Sequence, residues 1–288
     1  MKNLFCTLLL IATLIFTVNI KAQQKQSAKS LLWEVSGNGL TKPSYIYGTI
    51  HMICEPDFLI SDKTKSAMTS ADNLVLELNF TDPSEITELQ KSIMSAIPLS
   101  KKLSPSQFNR LDSVLTLKTG TSLKKLDQLT LAAITSFAIA KTLPCSEIKS
   151  YEVEFINFAK AQNKTIGALE TVKQQTEFFA KAFSDDELVR QITSFDDYKT
   201  VFSEMISTYK MEDLDKVSEM LKDKRWGNTE ESNKWMLQVR NANWANHMPA
   251  MMKNQSCFFA VGCGHLPGKD GILQLLKNQG YKVKPILK

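Results

Sequence analysis

The stretch Tyr45–Ile46–Tyr47–Gly48–Thr49–Ile50–His51 has the composition of a buried β-strand that ends in a histidine. Aromatic and β-branched residues dominate it, and Pro43 just before it opposes a helix. Gly48 provides a position where the backbone can turn or be approached closely. In an open α/β sheet His51 would lie at the carboxyl end of this strand, where ligands and catalytic groups collect.

The same pattern recurs near the other end of the chain, in Cys257–Phe258–Phe259–Ala260–Val261–Gly262–Cys263–Gly264–His265. Again an apolar strand leads into glycines and a histidine. The chain has 3 histidines, and two of them follow strands in this way. We therefore predict that the fold brings His51 and His265 together. The third, His247, follows no strand and is predicted to be an exposed helix residue.

Further apolar stretches predict a sheet with strands near both ends of the chain. They are Leu31–Val35, Asn73–Leu78, Thr165–Glu170 and Tyr281–Val283. The first of them, followed by a Gly-rich turn, predicts a β-hairpin with Tyr45–Ile50. Helical patterns fill about 61–70, 82–160, 171–250 and 270–278, and Leu129–Leu143 is apolar enough to be a core helix. This order predicts an α/β (α+β) fold, with a small central mixed sheet surrounded by many helices.

The composition excludes several classes of protein. A chain of 288 residues with 43% hydrophobic and 23% charged residues is an ordinary globular sequence. The net charge of +5 rests mainly on lysines scattered among acids. Nucleic-acid-binding proteins usually carry clustered arginine, so we expect no nucleic-acid partner.

Residues 1–22 have the pattern of a secretory signal peptide, with Lys2, an apolar run from Leu4 to Val18, and small Ala22 at a cleavage point. We predict an exported protein, periplasmic or extracellular, whose residues 23–288 form a single domain. A membrane contact is expected only if this segment stays uncleaved as an anchor.

Export places the remaining cysteines in an oxidising compartment. Cys257 and Cys263 are separated by about 20 Å if their strand is extended at roughly 3.3 Å per residue. A disulfide needs Cα atoms within about 7 Å, so that pair is disfavoured. Cys54, just after His51, can more readily reach Cys145 in the Pro144–Cys145–Ser146 turn. We therefore predict a Cys54–Cys145 disulfide, with Cys257 and Cys263 reduced and buried.

Three charged residues join the histidines as site candidates. Glu77 lies in an apolar strand and must either face solvent or meet a cation, because burying an unpaired charge is costly. Glu170 ends another short strand, although it could simply begin a helix. Arg240 shares a helix face with Trp244 and His247, and could clamp an anion or pair with either carboxylate.

If these strand ends meet, two imidazoles and a carboxylate would suit a divalent metal such as Mn²⁺, Co²⁺ or Zn²⁺ and leave a position for water. We predict His51, Glu77 and His265 as metal ligands, with Glu170 and Arg240 completing the catalytic set. Metal-free acid–base chemistry by the same residues is an open alternative. The chain has no G-x-S-x-G, dinucleotide-binding, P-loop or HExxH motif.

These residues and their neighbours resemble the TraB/GumN family over residues 31 to 285. The segments that carry the resemblance are Leu32–Val35, Tyr45–His51, Leu76–Leu78, Ala168–Thr171, Arg240–Trp244, Phe259–Gly268 and Gly280–Tyr281. One departure is Cys263, where the family often has a small residue such as alanine. We expect this thiol to be buried and not to bind metal.

The resemblance implies both a fold and an activity. The family includes the Tiki proteins, described as metal-dependent proteases, and its members are likened in fold to erythromycin esterase. It implies that His51, His265 and Glu77 form the site. We expect a metal-dependent hydrolase acting on a peptide or small molecule, with peptide bonds as the expected target. The alternative is a non-enzymatic protein that sequesters a peptide or signal, as pheromone-shutdown relatives suggest.

Overall fold

The computed structural model describes residues 29–223 and 228–287. The predicted signal segment, residues 1–22, lies outside these ranges, so export stays a prediction. Within the described ranges, no helix combines the length and the apolar character that a membrane span requires.

The described strands form one central sheet and one small accessory sheet. Numbered along the chain, they are β1 (Leu32–Ser36), β2 (Ser44–Thr49), β3 (Ile53–Cys54), β4 (Asn73–Leu76), β5 (Ile148–Lys149), β6 (Thr165–Ala168), β7 (Cys257–Gly262) and β8 (Lys282–Pro285). The central sheet has the order β6-β4-β7-β2-β1-β8, and β3 pairs with β5. Strands β2, β7, β4 and β6 are mutually parallel, whereas β1 is antiparallel to β2 and β8. The predicted mixed sheet and hairpin are therefore confirmed.

Helices surround this sheet, as predicted. They are α1 (Asp62–Ser70), α2 (Pro83–Ser92), α3 (Leu99–Lys102), α4 (Pro105–Thr119), α5 (Leu131–Thr142), α6 (Tyr151–Ala161), α7 (Val172–Ala182), α8 (Asp185–Thr193), α9 (Phe195–Lys210), α10 (Leu214–Met220), α11 (Glu230–Asn233), α12 (Val239–Met252) and α13 (Ile272–Asn278). A π-helical turn, Lys234–Gln238, leads directly into α12.

The prediction that residues 82–160 are helical throughout was wrong at β5. This strand exists because it pairs with β3, which precedes it by almost a hundred residues, and local periodicity carries no record of such a partner. The apolar helix α5 is also less central than predicted. It buries one side, including Leu131, Ile134 and Ala138, in a separate cluster with α4 and α8.

The main core lies around β2 and β7 at the centre of the sheet. Residues 257–261 of β7 are all buried, as expected for a parallel strand covered on both faces. Their register pairs Thr49 with Gly262, so the carboxyl ends of β2 and β7 lie side by side. Gly48 is needed for close approach, because a Cβ there would lie 3.0 Å from the Cα of Cys263.

The cysteines are arranged as predicted. Cys54 and Cys145 form a disulfide beside the β3–β5 pair. Cys257 and Cys263 are free and buried. Burial raises the pKa of the Cys263 thiol to about 12, so it stays protonated at neutral pH.

Candidate functional site

Four of the five predicted site residues each follow one of four parallel strands. His51 follows β2, Glu77 follows β4, Glu170 follows β6 and His265 follows β7. Glu77 is the first residue after its strand, not inside it as predicted. Because the carboxyl ends of parallel strands share one edge of the sheet, the four side chains lie around a common region. Arg240 reaches the same region from α12.

Gly262 marks the point where these side chains converge. A Cβ at this position would lie 3.3 Å from Glu77 Oε1, 3.4 Å from His51 Nε2 and 3.6 Å from His265 Cδ2. Glycine leaves this space open between two imidazoles and a carboxylate. We call the space bounded by these three side chains the Gly262 cradle.

Glu77 is buried and held on both oxygens. The Gly262 backbone N–H donates to Oε1 at 2.7 Å, and Arg240 Nη2 donates to Oε2 at 2.5 Å. The sequence left open whether Glu77 faces solvent or meets a cation. In the structure its carboxylate meets the cation of Arg240. Burial is the largest influence and opposes ionisation, but the charge of Arg240, the two nearby histidines and the Gly262 hydrogen bond together outweigh it and lower the pKa of Glu77 to about 2.

Arg240 pairs with both carboxylates. Its Nε and Nη2 donate to Glu170 Oε1 at 3.0 and 2.6 Å, in addition to the bond with Glu77. Its Nη1 donates to the Met236 carbonyl at 3.1 Å and to His265 Nε2 at 3.2 Å. The guanidinium also lies 4.7 Å from the ring centre of Trp244, a cation–π distance. The guanidinium is thus fixed from several sides.

Glu170 serves mainly to anchor Arg240. Besides the guanidinium, it accepts hydrogen bonds from Trp244 Nε1 at 3.2 Å and Gln175 Nε2 at 2.9 Å. Burial raises the pKa of Glu170 above its ordinary value even though Arg240 acts against the rise. Its oxygens do not border the Gly262 cradle, so it would act on the site through Arg240.

His265 is a buried, neutral imidazole. Its Nδ1 lies 2.6 Å from Asn241 Oδ1, and the Asn241 amide N–H₂ donates to the Asp270 carbonyl at 2.9 Å. That second bond fixes the amide, so His265 Nδ1 carries the proton and Nε2 is the acceptor facing Arg240. Burial and the charge of Arg240 lower the pKa of His265 to about 3.

His51 has a different environment. Its Nδ1 lies 2.9 Å from Glu152 Oε1, while 62% of its side-chain surface remains exposed. Desolvation acts to lower its pKa, but the hydrogen bond and charge of Glu152 dominate and raise the pKa of His51 to about 9. His247 is exposed on α12 away from this cluster, as predicted.

Sequence reasoning missed the two residues that hold the histidines. Asn241 directly follows Arg240 in a segment that resembles the family. That resemblance was the only feature of the sequence that could have pointed to Asn241. Glu152 gave no signal, because an acid in the first turn of a helix is already explained by the helix dipole. Only the fold places it against His51.

The donor set at the cradle suits a divalent metal. Two imidazoles with hydrogen-bonded Nδ1 atoms and one carboxylate are ligands of the kind that Zn²⁺, Mn²⁺ and Co²⁺ accept, provided that His51 gives up its Nε2 proton. As the side chains stand, however, no group of three or more His, Cys, Asp or Glu in the described parts of the chain is arranged to hold an ion. Arg240 contacts both Glu77 and His265, so a metal would have to compete with it.

Two cavities adjoin the cluster. One of about 500 Å³ is lined in part by Asn241, Gly264 and Asp270. Another of about 320 Å³ is lined in part by Asn79, Glu85 and Glu170. Since His51 is the exposed member of the cluster, its side of the cradle is open to solvent.

Comparison with known proteins shows the family to which this chain belongs. No solved structure matches the chain. A protein named Metalloprotease TIKI homolog, from Nematostella vectensis, is 24% identical over 326 residues, covering 90% of this chain and 68% of the relative. The model of the TraB/PrgY/gumN family matches residues 31–285, which include every residue of the cluster. The chain belongs to the TraB/PrgY/gumN family.

Proposed function

We propose that this protein is an exported, metal-dependent hydrolase that cleaves peptide bonds at the Gly262 cradle. The observation that carries the proposal is the convergence of His51, Glu77 and His265 on one open space, with each imidazole held at Nδ1 by an acceptor. Similarity to a relative named as a metalloprotease supports the reaction class. The Cys54–Cys145 disulfide supports an oxidising compartment.

The charge balance of the site favours a cation. Three carboxylates, those of Glu77, Glu152 and Glu170, face one guanidinium and the His51 ring, which is protonated at neutral pH because its pKa is about 9. One negative charge remains uncompensated in a largely buried cluster, which is costly. A divalent cation would offset it and displace the Nε2 proton of His51, so metal affinity should rise with pH.

His51, Glu77 and His265 would hold Mn²⁺, Co²⁺ or Zn²⁺. When bound, such an ion lowers the pKa of water toward neutrality and polarises a carbonyl. Residues of the chain would fix the charge and the position of the ligands. Arg240 keeps Glu77 ionised and occupies its Oε2 atom, so Oε1 is the carboxylate oxygen left facing the cradle as a ligand. Glu170 holds Arg240 in place.

The test combines elemental analysis with peptide hydrolysis. Wild type and the variants His51→Ala, Glu77→Gln and His265→Ala would be loaded with Mn²⁺, Co²⁺ or Zn²⁺ and incubated with a mixture of fluorogenic peptides. We expect chelator-sensitive cleavage in wild type and loss of both metal and cleavage in the three variants. His247→Ala changes the exposed histidine and is the matched control, which should behave as wild type. Metal content unchanged in all three variants would overturn the assignment.

A second candidate is a metal-free protein that binds and sequesters a peptide or signal. The observation that favours it is Arg240, whose guanidinium already neutralises Glu77 and donates to His265 Nε2. Recovery of an intact peptide with wild type, together with no metal above the level of His51→Ala, would favour this candidate. Chelator-sensitive cleavage would exclude it.

A further inference from the structure

Glu152 is a buried carboxylate at the start of α6 that contacts Thr49 and His51 at the end of β2 and its own neighbour Ser150. Thr49 Oγ1 donates to its Oε1 at 2.7 Å, and His51 Nδ1 lies 2.9 Å from the same oxygen. Ser150 Oγ donates to Oε2 at 2.7 Å. Both oxygens are therefore engaged. The charged partner among these contacts is His51, so the burial of Glu152 is linked to this one ring.

We propose that Glu152 is the positioning residue for His51, holding Nδ1–H so that Nε2 faces Glu77 Oε1 across the Gly262 cradle. The proposal rests on the proposed function, because it assigns His51 Nε2 as the atom that does the chemistry. A carboxylate can only accept, so the proton of neutral His51 lies on Nδ1. The Nε2 atom then presents its lone pair 3.4 Å from the position that a Cβ of Gly262 would occupy.

A local brace holds this pair together in addition to β2 of the central sheet. His51 and Glu152 lie on separate segments that are joined by the β3–β5 pairing, with Ile53 opposite Lys149 and Cys54 opposite Ile148. The Cys54–Cys145 disulfide links the same two segments covalently. An exposed ring would otherwise sample several rotamers, and this brace restricts it.

Conservative substitutions separate positioning from charge. Glu152→Gln keeps the reach of the side chain and an acceptor oxygen but removes the charge. Glu152→Asp keeps the charge and shortens the reach by one methylene. If Glu152 positions His51, the aspartate variant should lose about tenfold to a hundredfold in metal affinity, the range found for residues that orient metal ligands. The glutamine variant should retain most of it.

Nitrogen-15 NMR of the His51 ring gives a readout that needs no metal. At pH 10, above the pKa of about 9, the neutral ring of wild type should carry its proton on Nδ1. Glu152→Gln should keep that tautomer, whereas Glu152→Asp should shift a measurable fraction to Nε2–H. Glu154→Asp and Glu154→Gln are matched controls, because Glu154 lies on the same helix turn and contacts Lys149, not His51.

The outcomes distinguish this inference from the function on which it rests. If wild type binds no metal and cleaves no peptide, the proposed function fails, and the ring tautomer still decides whether Glu152 positions His51. If Glu152→Asp retains both the wild-type tautomer and metal affinity, the positioning role is overturned. It is also overturned if glutamine impairs both readouts as much as aspartate does, because charge would then be the operative property. Thermal melts of all variants check that each is folded.

Discussion

The two histidines follow similar stretches of sequence on neighbouring parallel strands, yet they have opposite electrostatic environments. His51 is 62% exposed in its side chain, faces a carboxylate and has a pKa raised to about 9. His265 is 6% exposed, faces an amide and a guanidinium, and has a pKa lowered to about 3. The difference comes from the partner at Nδ1, Glu152 in one case and Asn241 in the other, and from burial beside Arg240.

This contrast divides the site into a fixed half and an adjustable half. The buried half contains Glu77, Glu170, Arg240 and His265 in one continuous hydrogen-bond network. The exposed half contains His51 and Glu152, held by a disulfide and two short strands. A ring that is protonated at neutral pH beside one that is neutral provides two different proton affinities at one cradle. This arrangement suits proton transfer.

Removing the cation of the buried half should have the largest effect on stability. Arg240→Met leaves Glu77 and Glu170 buried without their partner, and breaking a buried ion pair typically costs about 3–5 kcal/mol in the free energy of unfolding. Urea denaturation measures the loss. Arg110→Met at an exposed position is the control and should change the free energy by less than about 0.5 kcal/mol. Equal stability of the two variants would mean that the buried half is not fixed by Arg240.

Removing the covalent brace should affect the exposed half. We expect the double variant Cys54→Ser, Cys145→Ser to lose about 2–5 kcal/mol, because its unfolded chain is no longer cross-linked. The NMR signals of the His51 ring should change more than those of His265. Reductant should destabilise wild type and leave the double variant unaffected. Changes centred on His265 would contradict the division of the site into two halves.

Giving His265 a carboxylate partner should move its pKa toward that of His51. Asn241→Asp preserves the shape at Nδ1 and adds a negative charge, so the pKa of His265 should rise by about 1 to 3 pH units from its lowered value of about 3. An NMR titration of the ring measures the rise. Asn243→Asp changes an exposed residue of the same helix and should leave the pKa of His265 unchanged. An unchanged pKa in Asn241→Asp would assign the difference between the histidines to burial alone.

The smallest expected effect is a pH dependence of stability from the exposed half. Because the folded pKa of His51 is raised from 6.5 to about 9, its contribution is fully present below pH 6.5 and is lost as pH rises through about 9. Its size is limited by the exposure of the ring. Denaturation at pH 6, 8 and 9.5 should reveal this loss in wild type and a flatter profile in Glu152→Gln. His247→Gln is the control and should keep the wild-type profile.

Local sequence determined much of the fold. Runs of β-branched and aromatic residues bounded by glycine and proline predicted the strands of the central sheet, because such residues suit a buried, pleated surface. The positions of His51, Glu77, Glu170 and His265 after those strands predicted a shared edge. The distance along one strand disfavoured a Cys257–Cys263 pair, and the turn around Cys145 favoured the Cys54–Cys145 disulfide that the structure contains. The strand β5 was missed, because its partner is distant in the chain.

The protonation state of each side chain was decided by tertiary structure. His51 and Glu152 are 101 residues apart, and Arg240 is 163 residues from Glu77, so no local pattern connects them. A pKa depends on burial and on charges within a few ångströms, and both exist only after the chain has folded. The sequence therefore indicated that His51, Glu77, Glu170 and His265 follow strands of the sheet, but it gave no sign of Glu152. Packing decided which of them are charged there and which one faces solvent.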